Sequence, residues 1–150
     1  MKTSTLFATT LALIVLSLGQ TFAKTPTGWT DDYAKALEKA KAEKKMVLLD
    51  FTGSDWCGWC VKLDKEVFSK TEFKTYAKDN LVLVELDFPR GKQQSKMLKE
   101  QNEKLQKEFG IRGFPTIIVL NPEGQKVGQL GYMEGGPTAF IAKVNELKGK

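Results

Sequence analysis

A near-continuous apolar run, Met46-Val47-Leu48-Leu49-Asp50-Phe51, is followed after one short turn by Trp56-Cys57-Gly58-Trp59-Cys60. No other feature limits the possible folds so tightly. The run has the character of a strand buried on both faces. Thr52-Gly53-Ser54-Asp55 reads as a turn. From Trp56 the pattern becomes helical, with Cys60, Leu63 and Val67 on one face and Phe68 beside them. A strand that hands two thiols to the start of a helix makes a site for exchanging electrons with disulfides.

Cys57 and Cys60 are the only cysteines in the chain. A bridge between them closes a very small loop. In the chain-entropy picture a loop of about 15 residues is needed to reach roughly 3 kcal/mol. A pair that stabilises so little is present for its chemistry. The same spacing is half of a zinc site, but zinc needs two more ligands, and the chain has no histidine and no further cysteine. No resident metal and no cofactor are expected. Copper(I) handling by the two thiolates, helped by Met46, Met97 or Met133, is one alternative. A binding module without catalysis is another.

Residues 1–23 read as a secretory signal. Lys2 supplies the positive charge, Leu11 to Leu18 the apolar core, and Thr21-Phe22-Ala23 the small residues a signal peptidase reads. That core is shorter than the roughly 20 residues of a spanning helix. Cleavage would leave residues 24–150 as one monomeric domain, periplasmic or secreted, with no stable membrane insertion. The formal charge is +5, but the lysines alternate with glutamates along expected helices. That describes a solvated surface and not a nucleic-acid partner.

The rest of the chain alternates helices and strands. Lys24 to Gly28 is expected to be a flexible start. Thr30-Asp31-Asp32 caps a helix carrying Tyr33, Ala34, Leu37 and Ala40. Ser69 or Thr71 caps a short helix with Phe73, Tyr76 and Ala77, which Asp79-Asn80 breaks. Leu81 to Phe88 is a strand, and Lys92 to Glu108 a charged helix with a thin apolar stripe, mostly facing water. Ile117 to Leu120 and Lys126 to Leu130 form a hairpin around Asn121-Pro122-Glu123-Gly124. Pro137-Thr138 opens a last helix with Phe140, Ile141, Val144 and Leu147 inward. Strands alternating with helices point to parallel crossovers, and the final hairpin adds an antiparallel pair. The expected fold class is α/β: a central mixed sheet with helices on both faces.

Trp56-Cys57-Gly58-Trp59-Cys60, Phe114-Pro115-Thr116 and Asn121-Pro122-Glu123-Gly124 together resemble the redox motif, cis-proline segment and hairpin turn of the thioredoxin-like superfamily. The resemblance covers about residues 30–148. Asp50-Phe51-Thr52-Gly53 ahead of the motif is most similar to exported bacterial thioredoxin-family proteins, and to the periplasmic domain of membrane reductant-transfer proteins. The chain departs from thioredoxin in three places. Trp59 stands where thioredoxin has proline. Asp50 lies one residue further from the first cysteine than the family's buried acid. The segment Lys92 to Lys107 is longer.

The resemblance implies a three-layer α/β/α domain and a thiol–disulfide oxidoreductase. Cys57, at the helix N-terminus, would be the nucleophile, since amides and the helix dipole favour a thiolate there. Cys60, on the next turn and facing the core, would resolve the mixed disulfide. The ordering follows from exposure. Pro115 would be cis and would set the backbone of Phe114 beside the sulfurs, ready to pair with an extended substrate. Trp56, Gly58 and Trp59 would complete the substrate-binding collar. Asp50 is either a buried carboxylate shuttling a proton to Cys60 or a strand-end aspartate capping the following turn. Partners would be protein disulfides or another redox protein, with a membrane electron donor as one possibility.

Overall fold

The computed structural model of the chain describes residues 25–148. The expected export signal, residues 1–23, lies outside the described residues. Five strands form one sheet: β1 (Trp29–Thr30), β2 (Met46–Thr52), β3 (Leu81–Asp87), β4 (Thr116–Leu120) and β5 (Lys126–Leu130). Their order across the sheet is β1-β3-β2-β4-β5. β1 and β2 run parallel to β3, β4 runs antiparallel to β2, and β5 antiparallel to β4. Helices α1 (Tyr33–Glu43) and α4 (Lys96–Glu108) pack on one face. Helices α2 (Gly58–Leu63), α3 (Thr71–Asn80) and α5 (Gly136–Lys148) pack on the other. This is the three-layer arrangement the order of elements implies.

β2 is buried at every position because both of its faces are covered. Its side chains alternate between two cores. Met46 and Leu48 join Leu63, Phe73 and Phe140, whereas Val47, Leu49 and Phe51 join Ala36, Ala40 and Leu105. The same alternation carries Asp50 and Thr52 onto the α2 side. β3 behaves alike: Leu81 and Leu83 belong to the α2-side core, so Glu85 and Asp87 continue on that face. The register pairs Asp50 with Glu85 and Thr52 with Asp87. The apolar core on this side therefore gives way, at the C-terminal ends of β2 and β3, to a polar patch under α2.

Several boundaries differ from expectation. Trp29–Thr30 is a strand, paired with Leu83 and Val84, where the sequence suggests only a flexible start and a cap. Within the expected capping triplet it is Asp32 that caps α1, its carboxylate accepting from Lys35 N–H at 3.1 Å. α2 starts at Gly58, not Trp56, and runs into a π-helical turn, Asp64–Phe68. α3 is capped at Lys70 by neither expected hydroxyl, because Ser69 is taken up in closing the π turn, its N–H donating to Asp64 O at 2.8 Å. α3 ends at Asn80, as Asp79-Asn80 suggests; the Asn80 side chain donates back to Tyr76 O, and β3 follows at once. α4 begins only at Lys96, where Ser95 caps it by accepting from Leu98 N–H at 3.2 Å.

Candidate active site

The turn after β2 is tied down from two sides. Cys57 N–H donates to Gly53 O at 2.8 Å, closing the turn locally. Ser54 donates through its N–H and its hydroxyl to the carboxylate of Asp87, at 2.9 and 2.6 Å. Asp55 accepts from the N–H groups of Arg90 and Gly91, at 3.0 and 2.6 Å, so the segment after β3 is clamped to the same turn. Those backbone donors hold the Asp55 carboxyl below its ordinary value.

Cys57 is the N-cap of α2. Its backbone is extended, and its Sγ accepts from Cys60 N–H at 3.2 Å. The two cysteines are joined in a disulfide with their Cα atoms 5.2 Å apart. Cys57 is 7% exposed and Cys60 5%, so exposure does not rank the two thiols as the sequence argument supposed. What differs between them is the cap: Cys57 Sγ, and not Cys60 Sγ, accepts from an amide of the first helical turn, where negative charge is stabilised.

Of the predicted collar, Trp56 and Phe114 are in contact, and Trp59 packs apart from them against Tyr132. Trp56 donates from Nε1 to Phe88 O at 2.7 Å and meets the ring of Phe114 edge-on at 5.8 Å. The Phe114–Pro115 bond is cis. Gly53 makes the indole's placement possible, since a Cβ there would lie 2.5 Å from the Trp56 ring. Trp59 is 58% exposed and packs against Tyr132 at 5.1 Å. Gly58 is exposed, with open space where a side chain would go. Two cations sit on this collar. Arg90 lies 3.8 Å above the Trp56 ring, and the Lys62 ammonium lies 5.1 Å from Trp59 and 4.8 Å from Tyr132.

Asp50 does not cap the turn; Asp87 fills that role, as its bonds to Ser54 show. Asp50 is 8% exposed, and its Oδ1 has no hydrogen-bond partner among the described residues. Burial, then the charges of Glu85, Asp64 and Asp87, push its carboxyl well above the ordinary range. It faces a cavity of about 500 Å³ whose walls include Cys60, Asp64, Glu85 and Asp87. Burial also raises Asp64, which stands in the π turn. Glu85 is pushed up to about 7, by burial first and the Asp87 charge second.

This acidic wall is not among the sequence expectations. The signal was present: Glu85 and Asp87 interrupt an otherwise apolar strand at period two, which places both on one face. Asn102 is not among those expectations either. It is buried on α4 and donates to Asp87 O at 2.9 Å, fastening that helix to the end of β3. Of the methionines considered as copper ligands, Met46 is buried at the far end of β2 and Met97 is exposed on α4. Among the described residues no group of three or more carboxylates, cysteines or histidines is arranged to hold a metal ion. No helix among them is long and apolar enough to cross a membrane.

A family model described as a thioredoxin-like domain matches residues 33–148. The disulfide bond reductase DsbH of Chlamydia pneumoniae is 37% identical over 114 residues, covering 76% of this chain and 69% of that protein. The thioredoxin-related protein DsbJ of the same organism is 34% identical over 103 residues, covering 69% of this chain but 30% of DsbJ. A solved structure of a DsbH oxidoreductase superimposes with a TM-score of 0.75 at 33% identity, covering 86% of this chain and 93% of that one.

Proposed function

The chain belongs to the thioredoxin-like family and is a thiol–disulfide oxidoreductase; from that premise we propose that it reduces protein disulfides outside the cytoplasm, with Cys57 as nucleophile and Cys60 as resolving thiol. The observation that carries the assignment of roles is the N-cap: the sulfur of Cys57, and not that of Cys60, receives a helix amide at 3.2 Å. The reductive direction is supported by the similarity to DsbH, a disulfide bond reductase. The signal-like pattern in residues 1–23 supports export.

In the reduced enzyme the Cys57 thiolate attacks one sulfur of a substrate disulfide. The substrate bond breaks and a mixed disulfide forms. Cys60 loses its proton and attacks Cys57 Sγ, which closes the Cys57–Cys60 disulfide and releases the second substrate thiol. Two electrons pass from enzyme to substrate. The enzyme must then be reduced again, and in an exported setting a membrane-bound donor is the partner suited to that task. The collar of Trp56, Gly58, Trp59 and Phe114 supplies the docking surface. Pro115, which has no N–H of its own, leaves the backbone of Phe114 free to pair with an extended substrate strand. Asp50, beside the same cavity as Cys60, takes the resolving thiol's proton.

The test is insulin reduction by dithiothreitol, with and without the protein. Wild type should accelerate it, Cys57→Ser should abolish the acceleration, and Cys60→Ser should trap a mixed disulfide on Cys57. A reduction potential near roughly −270 mV, the value of thioredoxin, is expected for a reductase. A potential near roughly −120 mV, the value of a strong oxidant, would reverse the proposed direction.

A further inference from the structure

We propose that Glu85 is a positioning residue for the thiol chemistry: with Asp50 it forms a carboxyl pair behind Cys60 that shares a proton, and through Glu85 the proton released by Cys60 reaches water. The proposal rests on the reductive reading above and adds a second acid to it.

Three observations support it. Asp50 and Glu85 are register partners on adjacent parallel strands, whose backbones lie about 4.8 Å apart by the ordinary strand spacing. The burial alternation of β2 and β3 places both on the face beneath α2. Both also line the cavity that Cys60 lines. The two acids differ in access to water, which gives the pair a direction. Asp50 is buried and its Oδ1 is unpartnered among the described residues, whereas Glu85 is only partly buried.

The other charged groups around the pair are accounted for. Both carboxylate oxygens of Asp87, also on β3, are engaged by Ser54. Asp64 reaches the cavity from the π turn, Lys74 from α3 and Lys92 from the segment after β3. Asp31, ahead of α1, adds a weaker negative influence on Glu85. Two carboxylates so placed cannot both ionise at low cost, and their protons then belong to the pair. The raised pKa of Asp50 agrees with this arrangement, since the Glu85 charge stands second to burial among its causes.

The proton follows a closed path. When Cys60 attacks Cys57 Sγ in the mixed disulfide, its thiol proton passes to Asp50. The proton that the pair already held leaves from Glu85 to water. The departing substrate thiolate takes a proton from solvent. No proton or electron is left over, and no further co-reactant is needed.

The experiment is a carboxyl ¹³C NMR titration of the reduced protein in three forms: wild type, Glu85→Gln and Asp50→Asn. The pH profile of insulin reduction is measured beside it. In wild type the Asp50 signal should titrate in two steps, one of them coincident with Glu85. In Glu85→Gln it should titrate in one step, with its midpoint lower by about one pH unit or more, the scale of a coupled pair. The acidic limb of the insulin profile should move by the same amount. An Asp50 midpoint and a rate profile both unmoved by Glu85→Gln would overturn the proposal. If that variant does not fold, wild type still decides: a single-step Asp50 curve unrelated to Glu85 overturns it. Insulin reduction together with uncoupled carboxyls removes the pair alone. Coupled carboxyls without insulin reduction remove the reductive reading instead.

Discussion

Glu85→Gln should make the folded protein more stable, and the gain should depend on pH. In the fold Glu85 keeps its proton to about pH 7, against an ordinary glutamate value of 4.5. Below pH 4.5 the group is protonated in both folded and unfolded chains and contributes no difference. Between those values unfolding releases a proton, so stability falls as pH rises; above about 7 the full penalty is present. Each unit of pKa shift corresponds to about 1.4 kcal/mol. Over the shift from 4.5 to about 7 this gives an upper bound of about 3 kcal/mol. Glu85 is only partly buried, so solvent screens some of that, and about 2 kcal/mol is the working figure. Glutamine keeps the shape and removes the charge. Urea denaturation of the oxidised protein at pH 4.5, 6 and 8 measures the effect. With a urea slope of about 2 kcal/mol per molar, the variant's midpoint should exceed wild type by about 1 M at pH 8. At pH 4.5 the two should nearly coincide. A gap that is the same at all three pH values, or a variant weaker than wild type at pH 8, would refute the reasoning.

Two further substitutions probe how the site is held. Gly53→Ala puts a Cβ 2.5 Å from the Trp56 indole, and both the turn backbone and the ring are fixed by hydrogen bonds. It should cost about 1–3 kcal/mol in denaturant unfolding and shift the tryptophan emission; an unchanged spectrum and midpoint would show that the ring moves freely. Asn102→Ala removes a buried donor to Asp87 O and leaves that carbonyl to Gln94 Nε2, at 2.9 Å. The expected loss is about 0.5–1.5 kcal/mol, with faster amide exchange in α4, and protection equal to wild type would contradict the anchoring role.

Much of this site was legible because its parts carry strong local signals. The buried run of β2 and the paired cysteines each announce themselves within a few residues. The helical spacing after Trp56 places Cys60, Leu63 and Val67 on the core side, and burial agrees for all three. The errors came where tertiary contacts decide. β1 is two residues long and exists only because β3 has a free edge for it. Asp50 had two readings that sequence could not separate, since a nearby aspartate is a common cap. The actual cap, Asp87, lies 33 positions from Ser54. Exposure misled as well: the disulfide tucks Cys57 almost as deep as Cys60, and what differs between them is an amide hydrogen bond.

The polar ends of β2 and β3 connect these points. A strand pair buried on both faces is most stable with apolar residues throughout, and these strands keep that pattern until Asp50 and Glu85. There the α2-side core stops and a cavity of about 500 Å³ opens beside Cys60. Apolar residues at the two positions would extend the core and strengthen the fold, as the pH-dependent gain expected for Glu85→Gln implies. They would also leave the resolving thiol facing hydrocarbon, with no group to receive its proton. Desolvation raises a thiol's pKa just as it raises a carboxyl's, so a dry pocket would keep Cys60 protonated and slow the second displacement. A carboxyl in the same pocket is raised by the same cause, and its pKa moves toward that of the thiol. Proton transfer between groups of matched affinity is favoured over transfer to an ordinary surface carboxylate. On this account the stability lost at Asp50 and Glu85 and the ease of resolving the mixed disulfide have one origin, which is burial of acids beside Cys60.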